Sequence, residues 1–469
     1  MVKRADNAAQ AACGTGTAGP LQPLQPTPPS HLSRRALLAG WVPGAWLAAG
    51  PGLVQAAPMP TPTPATNAAS ARDRTPSTTA GAANTAAASA ADEDAVAPGR
   101  RLRFPRDHGA HPAAAIEWWY ATGWLDGPDG APRWGFQITF FRSRPPQADV
   151  PAALAAGRFA PRQLLFAHAA VTDLAAGRHR HAQRITRWSG DEQWPEAHAA
   201  RADTRLVLGA WSLQRRDRVS DGASGATGRT GGASAASTTS SSTSTSGRSQ
   251  YTSRIAAPEA GFTLALTLEA TQPLLLQGQA GFSQKGPLVQ QASHYYSQPH
   301  LAVRGDLVLD GRRQAVTGTG WLDHEWSHAL LAPGAVGWDW IGINLADGGA
   351  LTAFVLRRAD GSVLWGGGSH RPAGGAVRAF APGEIGFTAG RLWTSPATGA
   401  RYPVAWTIDT PVGRFGLRAL LDAQELDSRA STGAVYWEGL AELLDAAGRR
   451  VGLGYLEMTG RAGALKLTG

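Results

Sequence analysis

Along much of the chain, large apolar residues recur at every second position. Trp134, Phe136, Ile138 and Phe140 alternate with Gly135, Gln137 and Thr139, and Phe262, Leu264, Leu266 and Leu268 alternate with Thr263, Ala265 and Thr267. Val404, Trp406 and Ile408, then Val451, Leu453 and Tyr455, keep the same period. A period of two places one set of side chains in a core and the other in a polar setting, as a half-buried strand requires. Asp126-Gly127, Asp129-Gly130, Asp310-Gly311, Asp347-Gly348 and Asp360-Gly361 punctuate these runs as turn signals. Long helical periodicity is nearly absent, so the chain reads as all-β.

The pattern also repeats at longer range. Gly318-Thr319-Gly320-Trp321-Leu322-Asp323 is echoed by Gly452-Leu453-Gly454-Tyr455-Leu456-Glu457, 134 residues further on (323 to 457). At the same offset Gly305 meets Gly439 and Leu309 meets Leu443. This is the mark of a duplicated barrel, each copy ending in a similar strand. Closing a sheet on itself also removes exposed strand edges.

Composition divides the chain into regions. Ser33-Arg34-Arg35-Ala36-Leu37-Leu38 is a twin-arginine pattern, a weakly apolar stretch follows, and Val54-Gln55-Ala56 offers a cleavage site. Residues 1–57 therefore read as an export signal for a periplasmic or secreted protein. Residues 58–97 form a Pro/Thr/Ala/Ser-rich disordered linker, and 220–249 a Ser/Thr/Gly-rich insertion within the first barrel. The barrels are expected over 98–330 and 331–469. The 57 glycines and 32 prolines suit a loop-rich β architecture. The net charge of +9 comes from scattered Arg without interleaved aromatics, which argues against nucleic acid as a partner. The single cysteine, Cys13, lies upstream of the cleavage site, so the mature chain has neither disulfides nor thiolate chemistry. No stable membrane span is expected in the mature chain.

Acids and aromatics cluster five times: Glu117-Trp118-Trp119-Tyr120, His294-Tyr295-Tyr296, Trp321 to Trp326, Trp338-Asp339-Trp340 and Tyr436-Trp437-Glu438. On strands, Trp321 shares a face with Asp323, Trp338 with Trp340, and Glu117 with Trp119. Two roles stay open for such acids. They tie strands together by bonding Trp and Tyr polar atoms, or they sit desolvated beside indoles, keep a proton near neutral pH and act as general acids. His168, His179, His181 and His198 are isolated and read as surface or ordinary hydrogen-bonding residues. No Gly-x-Ser-x-Gly elbow or phosphate-binding loop occurs.

These clusters also carry a family resemblance. Glu117-Trp118-Trp119-Tyr120 with Gly123, Gly135-Phe136-Gln137 to Arg142, Tyr295-Tyr296-Ser297 and Trp321 to Ser327 are similar to AttH-like lipocalin-like proteins. Gly337 to Trp340, Tyr436 to Gly439 and Gly454 to Glu457 continue the likeness in order, from about residue 100 to 469. The resemblance implies two tandem lipocalin-like (calycin-type) antiparallel β-barrels. It also implies kinship with carotenoid 1,2-hydratases, which add water to an isolated double bond, and with predicted secreted hydrolases. By that likeness Asp323 is the proton donor, with Trp321, His294 and Tyr296 completing the site. Trp321 and Tyr296 stand where the hydratases are expected to carry Tyr and Trp, which leaves Asp323 as the transferable part.

The expectation is an exported hydratase or hydrolase acting on a mostly apolar small molecule inside a closed barrel. Asp323 would be the acid and His294 would orient it or place water. Tyr296, Trp321, Trp338, Trp340, Trp119, Glu117 and Glu325 would line the ligand site, with no cofactor or metal. Aromatic faces would steady a carbocation. The alternative is a carrier of an apolar ligand working with AttH-type ABC transport components. A third reading takes His324-Glu325-Trp326-Ser327-His328 as a zinc-hydrolase His-Glu-x-x-His, which requires a helix where this sequence predicts a strand.

Overall fold

A computed structural model describes residues 94–145, 162–218 and 248–465. The twin-arginine run, its cleavage site, Cys13, most of the 58–97 linker and nearly all of the 220–249 insertion lie outside these residues. Among the described residues helix is confined to short 3-10 turns such as Arg106–His108. No helix among them is long and apolar enough to cross a membrane.

Among the described residues two large antiparallel sheets follow one another in sequence, thirteen strands between Ile116 and Ser327 and ten between Gly337 and Met458, with a small two-stranded ribbon of Leu392–Thr394 and Arg401–Pro403 beside them. In each large sheet, the first strand pairs with both its successor and the last strand. Ile116–Asp126 lies between Pro132–Ser143 and Arg312–Ser327, and Gly337–Leu345 between Ala350–Arg357 and Arg450–Met458. That pairing curls each sheet into a nearly closed barrel, giving the two tandem lipocalin-like barrels expected from the sequence.

The sequence echo falls on the last strand of each barrel, and its glycines have a steric cause. A Cβ on Gly318 would lie 2.0 Å from the Trp124 carbonyl oxygen, and one on Gly454 would lie 2.0 Å from that of Gly342. Glycine lets the last strand close against the first.

Alternation then sorts the side chains, but the free space is not where a lipocalin analogy puts it. Trp119, Phe136, Trp211, Leu264 and Leu322 fill the first barrel, and Ile341, Val355, Trp437 and Leu456 fill the second. A third cluster, including Tyr120, Trp321, Trp340, Phe354 and Tyr455, occupies the outer faces along which the barrels meet. The expectation of a site inside a closed barrel is therefore corrected to a site between barrels. A period of two shows that a strand has two faces; it does not show which face turns inward.

Candidate functional site

The seam between the barrels is built from corresponding positions. Tyr120 sits opposite Asp323 on neighbouring strands of the first barrel, as Trp340 sits opposite Glu457 in the second. Trp118 stacks on Trp338 at 6.4 Å between ring centroids, and Tyr120 meets Trp340 edge-on at 5.6 Å. Each ring thus touches the ring that holds its own place in the other copy, the contact pattern of a two-fold interface. Beside these rings lies a cavity of about 110 Å³, bounded by Tyr295, Asp323, Trp338, Phe354, Glu438 and Glu457, among others.

Asp323 is 3% exposed and held by three donors. Ser297 Oγ–H and Trp321 Nε1–H donate to Oδ1 at 2.5 and 2.7 Å, and Tyr295 O–H donates to Oδ2 at 2.8 Å. Two of the donors are fixed from behind: Trp340 Nε1–H donates to Tyr295 Oη at 3.2 Å, and Gln277 Nε2–H to Ser297 Oγ at 2.8 Å. A carboxylate has four lone-pair directions. Three are filled, so the one remaining on Oδ2 is where a proton can reside. Burial pushes the Asp323 carboxyl up to about 7 against the pull of its three donors, and the nearby Glu325 charge adds to the rise.

The rest of the cavity is also polar in places. Lys285 Nζ lies 3.0 Å from Glu325 Oε1, over the faces of Phe354 and Tyr295. Glu438 and Glu457 face each other directly across two strands of the second barrel. Burial pushes Glu457 up to about 8, opposed by a hydrogen bond from Trp338 and reinforced by the charges of Asp323 and Glu325. Burial and Glu457 together hold Glu438 well above the ordinary carboxyl range. His168 is no isolated surface residue: it is buried at the seam, with Nδ1 2.5 Å from Tyr436 Oη and Nε2 2.8 Å from Ser431 Oγ. Burial lowers its pKa to about 3, so the imidazole is neutral.

The structure brings together Asp323, Trp321, Trp338, Trp340 and Glu325 of the expected set. It separates them from His294, Tyr296, Trp119 and Glu117, which point into the first barrel. Ser297 and Tyr295 oppose Asp323 and Glu325, which leaves His294 and Tyr296 on the other face of the same strand. His294 packs near Trp326, 5.4 Å between centroids, and its nearest hydrogen-bond partner is the Gly281 carbonyl. Burial lowers its pKa to about 4. Tyr295 and Ser297, and not His294, contact the Asp323 carboxyl. Glu117 is likewise committed elsewhere, bonded to His111 at 2.7 Å, His324 at 2.9 Å and Arg142 at 2.9 Å. Sequence reasoning passed over Tyr120, Tyr295, Ser297, Glu438, Glu457 and Lys285 as site residues. The echo itself flagged Glu457, the counterpart of Asp323.

His111, Glu117 and His324 are also the described residues whose donor atoms cluster closely enough to hold a metal ion, all within 4.8 Å. Hydrogen bonds already account for them, and the Arg142 guanidinium on Glu117 is a poor neighbour for a cation. Arg142 further donates to Gln163 Oε1 and to the carbonyls of His111 and Ala114, which makes the group a polar plug in the barrel end. The zinc-hydrolase signature lacks its helix. His324 through Ser327 belong to a strand, so His324 and Glu325 point to opposite faces, and His328 Nε2 accepts the Val96 N–H.

The fold and this seam define a tandem lipocalin-like protein with a desolvated acid site between its barrels. The chain belongs to the AttH-like family, whose model matches residues 95–233 and 216–461. The AttH-type protein of Nitrosomonas europaea is 43% identical, with 78% of this chain and 99% of that one covered and a TM-score of 0.65. Kievitone hydratase of Nectria haematococca shares the fold at 14% identity, with 76% and 93% covered and a TM-score of 0.53. No curated protein matches the sequence significantly.

Proposed function

We propose that the chain is an exported enzyme that adds water to a small, mostly apolar molecule, using Asp323 as general acid in the cavity between the barrels. The carrying observation is the Asp323 carboxyl. It is buried, oriented by three donors, raised to about 7, and left with one lone-pair direction on Oδ2. An acid with a pKa near the working pH is both protonated often enough and acidic enough to transfer its proton. Protonating an alkene carbon forms the C–H bond and leaves a cation on the adjacent carbon, which the rings of Trp338 and Trp340 would steady. Water then bonds to that carbon and gives up one proton, which restores the acid. A cavity of about 110 Å³ takes a reacting fragment of a few carbons, so a longer substrate would present one end. Export rests on the twin-arginine run Ser33–Leu38.

The test is incubation of the full chain with short branched alkenes, such as 2-methyl-2-butene, in ¹⁸O-labelled water. The expected result is an alcohol carrying the solvent oxygen, with the rate falling at least about a hundredfold in Asp323→Asn, the usual size of a lost general acid. An unchanged rate in Asp323→Asn would remove the acid from the mechanism. An alkene that binds tightly and is always recovered unchanged would favour a carrier.

A further inference from the structure

The echo between the barrels makes Glu457 the counterpart of Asp323, yet the two acids have unlike surroundings. The residue opposite Asp323 on the adjacent strand is Ser297, which donates to it. The residue opposite Glu457 is Glu438, a second acid. Glu438 is 3% exposed, faces the cavity, and its Oε2 has no hydrogen-bond partner. Tyr120 lines the same cavity at 5% exposure, and its hydroxyl is also without a partner. Buried polar atoms of this kind are uncommon in folded proteins because each costs its full desolvation. Two of them from different barrels, opening on one cavity, point to a polar atom supplied from outside. Burial opposes ionisation of Tyr120, and a charge on Glu438 or Glu457 opposes it further, which places the phenol within reach of both acids.

We infer that Glu438 and Tyr120, backed by Glu457, form a hydroxyl-binding pole in the cavity, so that its ligand is an apolar skeleton carrying one neutral hydroxyl. A neutral carboxyl and a phenol can each donate and accept, which suits an alcohol oxygen. An anionic ligand would find one ammonium, that of Lys285, among the described residues of the cavity, and Glu325 already engages it. The inference deepens the hydratase reading and rests on it: the alcohol formed by hydration would be held at this pole. Removing either group at the pole relieves an unsatisfied buried atom, so thermal stability is expected to hold or rise. A purely structural pair would show the reverse, which gives the substitutions a readout beyond binding.

The experiment compares benzyl alcohol with toluene, two probes that differ by one hydroxyl, by tryptophan fluorescence titration of the full chain. The wild type is expected to prefer the alcohol by about tenfold, the worth of one buried hydrogen bond. Tyr120→Phe and Glu438→Leu are expected to reduce that preference to within about twofold while toluene binding and melting temperature are kept or improved. Asp323→Asn is expected to retain the preference. If both pole variants keep the tenfold preference, the pole is refuted while hydration by Asp323 stands. If neither probe binds the wild type, the cavity reading fails and the pole fails with it. If the pole variants instead lose stability and both probes equally, the pair is structural and the inference is overturned.

Discussion

The pKa of Asp323 makes a quantitative demand on stability. In an unfolded chain an aspartate titrates near 3.8, and in the folded protein burial moves Asp323 up to about 7. Below pH 3.8 both states hold the proton. As the pH rises from there, the unfolded chain releases it and the folded chain keeps it, so stability falls with pH until about 7 and then levels off. At 1.36 kcal/mol per unit the whole penalty is about 4 kcal/mol, and the part lost between pH 5 and pH 8 is about 3 kcal/mol. Asp323→Asn cannot titrate. Its amide nitrogen meets the Tyr295 hydroxyl or the Ser297 and Trp321 donors wrongly, a cost of about 1 kcal/mol that is the same at every pH.

The assay is urea unfolding of both chains at pH 5, 6, 7 and 8, followed by tryptophan fluorescence and extrapolated linearly. Taking the difference between the chains cancels the groups they share, except Glu457, whose carboxyl feels the Asp323 charge. Relative to wild type, Asp323→Asn is expected to gain about 3 kcal/mol between pH 5 and pH 8. A difference that stays constant over that window would mean an ordinary carboxylate, and the proposal of a general acid would lose its physical basis.

Three further outcomes follow from the same geometry. Tyr295→Phe removes one donor to the Asp323 carboxylate, so the alkaline limb of the turnover profile should move up by about half to one pH unit; a downward shift would contradict the bonding described. Arg142→Met leaves Glu117 buried without its guanidinium and should cost about 3 to 5 kcal/mol in unfolding, with Glu117→Gln in the same chain recovering part of it; a loss below about 1 kcal/mol would refute the plug. Prolonged dialysis against a chelator should leave the melting temperature unchanged, since His111, Glu117 and His324 are consumed by hydrogen bonds; stoichiometric zinc in the purified protein would overturn that view.

What the sequence made legible tracks where alternation survives. Phe262 to Ala270 alternates buried and half-buried along its whole length, and its inward face could be read off directly. Trp321 with Asp323, and Trp338 with Trp340, share faces as the spacing required. Ala292–Leu309 is different, because its first eight residues are all buried. A strand covered on both sides loses the polar-apolar contrast that marks its faces, so nothing in His294-Tyr295-Tyr296-Ser297 shows which pair looks at Asp323. Glu117 misled for a related reason: an acid beside tryptophans suggests a ligand site, whereas nearby His111, Arg142 on the next strand and the sequence-distant His324 make it a plug. Lys285, a lone cation in an irregular segment, leaves no periodic trace at all.

A site on the seam has a consequence that a site in a barrel would lack. Its walls come from two barrels, so its shape depends on how they dock. Hydrogen bonds join them on several sides: His168 to Tyr436 and Ser431, Thr172 to Gln424, Gln277 to Thr352, and Asn344 to the Gly320 carbonyl. The one from Gln277 belongs to the chain of donors that ends on Asp323 through Ser297. Docking and acid orientation are therefore one network, and a shift at the seam would reach the acid through Ser297 before it disturbed either core. Among the described residues the interior of the first barrel is taken up by its aromatic core and the Glu117–Arg142 group. Duplication supplies the economy of the arrangement. Two copies of one strand pattern, set face to face, bring two acids to the same cavity, and what opposes each acid differs: Ser297 and Tyr120 beside Asp323, Glu438 and Trp340 beside Glu457.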